Sequence, residues 1–519
     1  MKRIFSFILS LIIVLSAVSF AVPSVWAAAD GADIPVIHLS GYGGKIVRDN
    51  PDGTRETIYP FQIPDGYIDE KVNEILPVFA EAFFTQQWDE FCDVLVDAFV
   101  PVFKPLALDN NGNVTDGSRI EWKWTRAGLK DKKMPNGKYS VTAYKFYYDW
   151  RLDPIEIADV LHQYIEDVLY VTKSDKVALY GRCLGSNIVA AYMDKYDGEY
   201  VDEVIHYASS FYGATQCSKA FTGEMFIHAD GAERFIYDLD LGLEELYNDL
   251  IKSLVTLLNK TYGLDIACWA VNNVVEDIYL DIFPEVIRTS FGTFPSYWSM
   301  VSDSDYNRAM ETVFYGVDIN EYSGLIEKID NYRNNVLLDF ESDTKRFIDK
   351  GIEISNIVKY GIQTIPVTKN SNELSDMTVT VCESSFGATT AEVNDVFSVE
   401  YIDNAIINGT ARFISPDKQI DASTCLLPET TWFIKNLAHK NFPDCVSGLV
   451  SQIINNDGYD VMSDEEYPQF LVFDEESETI SAMTADNMNT TERWNVTYFE
   501  ALYKFMKALF ECLKQLITM

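Results

Sequence analysis

The chain is short of positive charge and of histidine. Its 41 Lys and Arg face 79 Asp and Glu for a net charge of -38, with five histidines in 519 residues. A field of that sign repels nucleic acid and anionic membrane surfaces, which excludes nucleic acid as a partner. Cysteine is sparse as well. The eight, at 92, 183, 217, 268, 382, 425, 445 and 512, are too few for a small disulfide scaffold and form no CxxC pair that would suggest zinc, so neither a metal nor a cofactor is expected. Cys425 and Cys445, the closest pair along the chain, could bridge. Beyond the N-terminal leader no stretch is long and uncharged enough to span a bilayer. No repeat and no low-complexity linker divides the chain.

Apolar material is abundant. With 47% hydrophobic and 13% aromatic residues, the chain can bury a core, so its acidity belongs to a solvated surface and not to disorder. Lys2 and Arg3 precede an apolar run that closes on small residues around Val25, Ala27 and Ala29, the order of a secretory signal peptide. Residues 1–29 are expected to be removed and the mature protein to be secreted or extracytoplasmic, with about 490 residues left for one large decorated domain or a few smaller ones.

Apolar, β-branched runs alternate with amphipathic helices in the first part. "IPVIHLSGYGG" (34–44) reads as a buried strand entering a glycine-rich turn, "AYKFYYDW" (143–150) as another strand, and "KVALYG" (176–181) and "VDEVIHYAS" (201–209) as two more. Between them, Ile157, Leu161, Ile165, Val168 and Leu169 share one face of a helix that starts at Pro154. This alternation predicts an α/β fold with a parallel sheet covered on both faces. A small helical insertion occupies about 68–105. From 210 to 360 the pattern turns helical, with Leu243, Leu246, Leu250 and Leu254 near one face, and the sheet is expected to resume at 362–369 and 411–415. "DNNGNVTDG" (109–117) has the alternate oxygens of a calcium loop but puts Val114 where such a loop needs glycine and Ile120 where it needs glutamate. It reads as a polar turn.

One short segment carries chemistry. In "YGRCLGSN" (180–187) Gly181 and Gly185 stand two residues either side of Cys183, as a nucleophile elbow requires, because larger side chains there would strike the neighbouring strand and helix. An elbow is paired with an oxyanion hole of two backbone N–H groups, one following the nucleophile and one from the first glycine-rich loop; Leu184 and Tyr42 are the candidates. The histidine and carboxylate of a triad follow the nucleophile in chain order. His38, His162, His206 and His228 fall in predicted strands, a helix and the insertion, which leaves His439 in "FIKNLAHKN". "FISPDKQIDAST" offers Asp417 and Asp421 as the acid, with Asp417, next to the expected strand 411–415, preferred.

Together these stretches resemble the lecithin:cholesterol acyltransferase-like branch of the α/β-hydrolases. "PVIHLSGYGG" is similar to its opening strand and oxyanion loop, "YDWRLDP" (148–154) to its tyrosine-aspartate-tryptophan-arginine segment, "YGRCLGS" to its serine elbow, "TSFGTFPSYWSM" (289–300) to a cap segment, "SPDKQIDAST" to its acid loop and "LAH" to its histidine. Two positions depart from the pattern: cysteine replaces the nucleophilic serine, and Lys418 stands where a glycine usually follows the aspartate. The resemblance implies an α/β-hydrolase core split between 30–209 and 361–450, a helical cap at 210–360 and a C-terminal extension at 451–519 that ends in an amphipathic helix. It implies a lipid acyltransferase or acylhydrolase working on acyl esters through Cys183, His439 and Asp417, with contact to lipid interfaces. The alternatives are a non-catalytic lipid-binding or surface-interaction protein on the same fold, and an esterase or thioesterase for small substrates.

Overall fold

Short, continuously apolar strands need cover on both faces, and the chain provides it. A computed structural model describes residues 31–42, 44–61, 63–64, 66–239, 245–368, 371–488 and 494–518; the leader expected at 1–29 lies outside them. The strands are β1 (Val36–Leu39), β2 (Ile46–Asp49), β3 (Arg55–Tyr59), β4 (Ser118–Ile120), β5 (Tyr144–Phe146), β6 (Val177–Arg182), β7 (Val201–Tyr207), β8 (Glu353–Tyr360), β9 (Thr389–Thr390), β10 (Ile420–Asp421), β11 (Thr431–Lys435), β12 (Phe470–Asp474) and β13 (Thr479–Ala482). Eight of them form the central sheet in the order β13-β12-β11-β8-β7-β6-β1-β5. All neighbours are parallel except β12 and β13, so the chain has the mostly parallel α/β sheet its alternating pattern predicted.

The sheet separates two layers of core. Ile37 and Leu39 of β1 face one cluster with Leu161, Ile165 and Ile188, while Val36 of the same strand faces another with Tyr180, Ile205, Ile434 and Val446. That is the two-residue alternation of a strand. The first layer is built by α1 (Tyr67–Thr85), α2 (Asp89–Phe103), α3 (Pro154–Thr172) and α4 (Leu184–Tyr196), followed by α5 (Thr215–Thr222), α6 (Ala229–Asp238), α7 (Glu245–Lys260) and α8 (Gly263–Phe283). Asp153 caps α3 by accepting the Ile155 N–H at 3.0 Å, with Pro154 at the first helical position. Ile157, Leu161, Ile165 and Val168 are buried, as their spacing predicted.

The second half differs from the expected order. The sheet resumes at β8, nine residues earlier than 362, within the stretch read as cap; residues 411–413 form a 3-10 turn and not a strand. β12 and β13 extend the sheet into the stretch read as a C-terminal extension. The polar turn at 109–117 is present, with Asp109 accepting the N–H groups of Asn111 and Asn113. Cys425 and Cys445 both carry free thiols, so the bridge that their proximity in sequence allowed is not formed. The helix Tyr498–Thr518 packs along α7, burying Ala501 and Ala508 and leaving Phe499 and Tyr503 exposed.

Glu203 in β7 faces Glu353 across the register with β8 and is 4% exposed. Its Oε1 has no hydrogen-bond partner, and burial, with Glu353, Asp202 and Asp457 adding to it, raises its carboxyl well above the usual range. A group whose folded value is raised stabilises the fold below its unfolded value and loses that contribution as pH climbs. Glu203→Gln, which mimics the protonated acid, should therefore match the wild type near pH 4 and exceed it at pH 8 by about 1–3 kcal/mol in denaturant unfolding.

Candidate active site

Adjacent strand ends bring the elbow and the first loop together. Leu39 of β1 pairs with Gly181 of β6, so the turn after each strand emerges at the same carboxyl edge, next to the point where the strand order reverses around β1. Ligands of open α/β sheets bind in this crevice. Cys183 sits between β6 and α4 at φ 52° and ψ -125°, a strained backbone for a residue with a side chain. Both flanking glycines are required. A Cβ on Gly181 would come within 2.9 Å of Ser186 Cα, and one on Gly185 within 2.4 Å of the Leu39 carbonyl oxygen. Gly41 approaches the thiol itself, since a Cβ there would lie 3.1 Å from Cys183 Cβ and 3.4 Å from Sγ.

The tyrosine-aspartate-tryptophan-arginine segment explains why the first loop holds its place. Tyr148 Oη donates to the carbonyls of Ser40 and Gly41 at 2.7 and 2.8 Å. Trp150 packs edge-on against the Tyr42 ring at 4.8 Å. Arg151, fully buried, pairs with Asp149 at 2.7 Å and donates to the Leu106 carbonyl and to Ser118 Oγ. From the other side, Asn187 of α4 donates to the Ser299 carbonyl at 2.8 Å, which ties the segment 289–300 to the elbow helix. Of the two oxyanion candidates, the Leu184 N–H follows Cys183 at the start of α4 and helps to lower its thiol pKa, and Tyr42 follows Gly41 in the loop against it.

His439 lies in the loop after β11, buried and close enough to Cys183 for each group to shift the other's pKa. The carboxylate on its other nitrogen is Asp376, whose Oδ2 is 2.7 Å from His439 Nδ1. The same aspartate accepts the N–H groups of Thr378 and Val379 through Oδ1, and its backbone carbonyl accepts the His439 N–H at 2.7 Å. Asp417 is elsewhere. Its carboxylate pairs with Lys435 at 2.7 Å and accepts from Ser415 and Tyr360; it fastens a turn to β11 and makes no hydrogen bond to the histidine. Asp421 accepts from Ser423 N–H and Tyr401 Oη. The carboxylate on the histidine is therefore Asp376 and not Asp417, because β8 lies ahead of the strand expected at 362–369 and the segment that follows it reaches His439. The signal available in the sequence is an aspartate ahead of a small turn, "SDMTVT" (375–380), in the long segment that follows β8.

The charges in this cluster reinforce each other. Burial alone would raise the Cys183 thiol, but the His439 charge and hydrogen bond, the Leu184 N–H and Arg182 hold it below its ordinary value. Burial alone would depress His439, yet Asp376 and the thiolate carry it up to about 9. Asp376 is held below the usual carboxylate range against its own burial by His439, Lys359 and the Val379 N–H. Each charge thus favours the other, the thiol being lowered by the histidine and the histidine raised by the thiolate. Neither His38 nor His206 competes, since burial drives each down to about 3. Among the described residues no group of three His, Cys, Asp or Glu is placed to hold a metal ion.

Two basic side chains hold the histidine loop from beneath. Lys359 of β8 is fully buried and donates to the carbonyls of Ala438, His439 and Asn441 at 2.8, 2.6 and 3.2 Å. Arg182 donates to the carbonyls of His439 and Lys440 at 3.0 and 2.9 Å. Lys359→Met removes three of these donors without touching the thiol. Displacing a reacting group by about 1 Å costs on the order of a hundredfold in rate; kcat should fall by about that factor with KM little changed, as steady-state kinetics at fixed fold content would check.

Residues 138–229 match Lecithin:cholesterol acyltransferase, a stretch that contains Asp149, Arg151 and the elbow but not Asp376 or His439. No curated protein matches the chain. Eight chains of solved structures match. One, from "The crystal structure of Tle4-Tli4 complex", is 11% identical, with 63% of this chain and 74% of that chain covered and a TM-score of 0.24. The mostly parallel eight-stranded sheet and the matched stretch together identify an α/β-hydrolase fold with a lecithin:cholesterol acyltransferase-like segment at its elbow.

Proposed function

We propose that the protein is a secreted lipid acyltransferase or acylhydrolase in which Cys183 is the nucleophile, His439 the acid and base, and Asp376 the group that orients the histidine. The observation that carries this reading is the Asp376 carboxylate hydrogen-bonded to His439 Nδ1, with the histidine close enough to the elbow thiol that His439 lowers the Cys183 pKa and Cys183 raises that of His439. A decayed site would have had no reason to retain a carboxylate buried against that histidine.

In the proposed reaction the Cys183 thiolate attacks the acyl carbonyl carbon, and an S–C bond forms as the carbonyl oxygen takes the negative charge. In this reading the N–H groups of Leu184 and Tyr42 receive that oxyanion. Collapse breaks the ester C–O bond, and His439 gives its proton to the departing alkoxide. An acceptor alcohol or water then surrenders a proton to His439, attacks the thioester carbon and releases the thiolate. A fatty acyl chain would be shielded by the helices α5 to α8. Ile266 and Trp269 of α8, each 66% exposed, give the cap an outer apolar face for a lipid interface.

The test is capture of the intermediate. Brief reaction of the purified protein with a radiolabelled fatty acyl ester, acid quench and peptide mapping should place a thioester on Cys183. A chain-length series should favour long acyl groups, and cells expressing the full chain should release protein lacking residues 1–29. No acyl-enzyme with any ester or thioester donor would leave a binding protein instead.

A further inference from the structure

The acidic chain carries one basic stretch. Residues 121–138, "EWKWTRAGLKDKKMPNGK", hold six Lys and Arg against two acids in a molecule of net charge -38. This stretch walls a cavity of about 490 Å³ at the outer edge of the central sheet, lined by Trp122, Trp124, Tyr147, Lys123, Lys132 and Lys145, the last on edge strand β5. None of its lining residues belongs to the Cys183 cluster.

Three properties make this a built cleft and not a stray patch of lysines. The indoles of Trp122 and Trp124 stack at 5.2 Å with an angle of 26°, and both rest on the Tyr164 ring, so the wall is fixed. The nearby acids are engaged elsewhere: Asp167 accepts from the Trp124 indole and from Arg126, Glu121 pairs with Lys45 and Arg55, and Asp131 accepts the Lys133 backbone N–H. Among the described residues none of Lys123, Lys132 and Lys145 pairs with a carboxylate, although carboxylates outnumber ammonium and guanidinium groups almost two to one. Lys132 spends one N–H on the Ala143 carbonyl at 2.7 Å, and burial and the neighbouring Lys145 hold it below its ordinary value. Like charges gathered without counter-charges cost stability unless an anion answers them.

We propose that this cleft binds a phosphorylated sugar or polyol, either free or as the headgroup of a lipid. A phosphate monoester carries close to two negative charges at neutral pH, and lysine serves phosphate as a point charge where arginine forks suit planar carboxylates. The indole and phenol rings offer flat apolar walls to the C–H faces of a sugar ring, and the Thr125 and Thr142 side chains in the lining offer hydroxyls. The volume lies in the usual range for a small-ligand site.

Titration calorimetry on the full chain with glucose 6-phosphate tests this, with glucose and inorganic phosphate as controls and phosphatidylcholine vesicles containing phosphatidylinositol 4-phosphate as the lipid arm. Glucose 6-phosphate should bind with Kd below about 1 mM, more tightly than either control, and at least tenfold more weakly in Lys132→Met/Lys145→Met. If that variant misfolds, the exposed Lys123→Met and a rise in salt concentration should each weaken binding. Binding to the vesicles without binding of the free sugar phosphate supports the headgroup source. Binding of neither probe, affinity for inorganic phosphate equal to that for glucose 6-phosphate, or binding indifferent to the lysines and to salt overturns the proposal.

Discussion

Asp376→Asn should lower kcat by about 10³–10⁴-fold while leaving the protein folded. The aspartate acts on His439 in two ways: its Oδ2 fixes which ring nitrogen faces Cys183, and its charge sustains the imidazolium. Asparagine keeps the volume, and its Oδ1 can still accept the Thr378 and Val379 N–H groups, so the turn survives. The amide presents no charge to the ring, and with N–H toward Nδ1 it selects the wrong tautomer. Because Asp376 helps carry His439 to about 9, its loss also lowers the pH at which the imidazolium gives up its proton. The alkaline limb of the pH profile should move down accordingly. Full activity in Asp376→Asn, measured per folded molecule, would remove the residue from the mechanism.

The companion variant separates chemistry from folding. Asp417→Asn leaves Lys435, whose side chain is 3% exposed, charged and without its counter-ion. Removing one partner of a buried ion pair costs about 3–5 kcal/mol, so the denaturation midpoint should drop. The surviving folded fraction should keep its kcat and its pH profile, since Asp417 makes no hydrogen bond to His439.

That contrast marks where sequence reading stopped. β1 and β6 are legible because apolar layers cover both faces of each, which leaves nearly continuous apolar runs, and β7 because Val204, Ile205 and Tyr207 keep most of such a run despite Glu203 and His206. The elbow is legible because backbone crowding at Gly181 and Gly185 admits no side chain, and His439 because few histidines exist. β8 hides its nature. "EISNIVKY" (353–360) buries Asn356 and Lys359, which a pattern of apolar residues counts against a strand. Their partners come from distant segments: Asn356 donates to the Ser384 carbonyl and Lys359 to the loop at 438–441. No local rule reveals such partners. With the strand displaced, its loop and acid were displaced too, onto Asp417. The Lys359 that disguises the strand is the same residue that seats the histidine.

Cys183→Ala should abolish acyl transfer, a loss of at least about 10⁴-fold, and Cys183→Ser should reverse the sense of the pH dependence. In the wild type the reactive form is the thiolate with its imidazolium. That pair exists from the lowered thiol value upward and is lost as His439 deprotonates near 9, so turnover should fall on the alkaline side. A serine hydroxyl does not ionise in this range, so the variant needs His439 as a neutral base. Without the thiolate charge that helps to raise it, the imidazole of Cys183→Ser should also deprotonate at lower pH, and turnover of oxygen esters should rise with pH through that point. Thioester donors should favour the wild type, because a thiolate is a better leaving group than an alkoxide and returns from the tetrahedral intermediate when the substrate's own leaving group is poor. Iodoacetamide should label Cys183 at neutral pH ahead of Cys217, which burial raises. Mass spectrometry of a timed labelling series reads this directly. Labelling of Cys183 no faster than of Cys217, with activity intact in Cys183→Ala, would sink the thiolate mechanism.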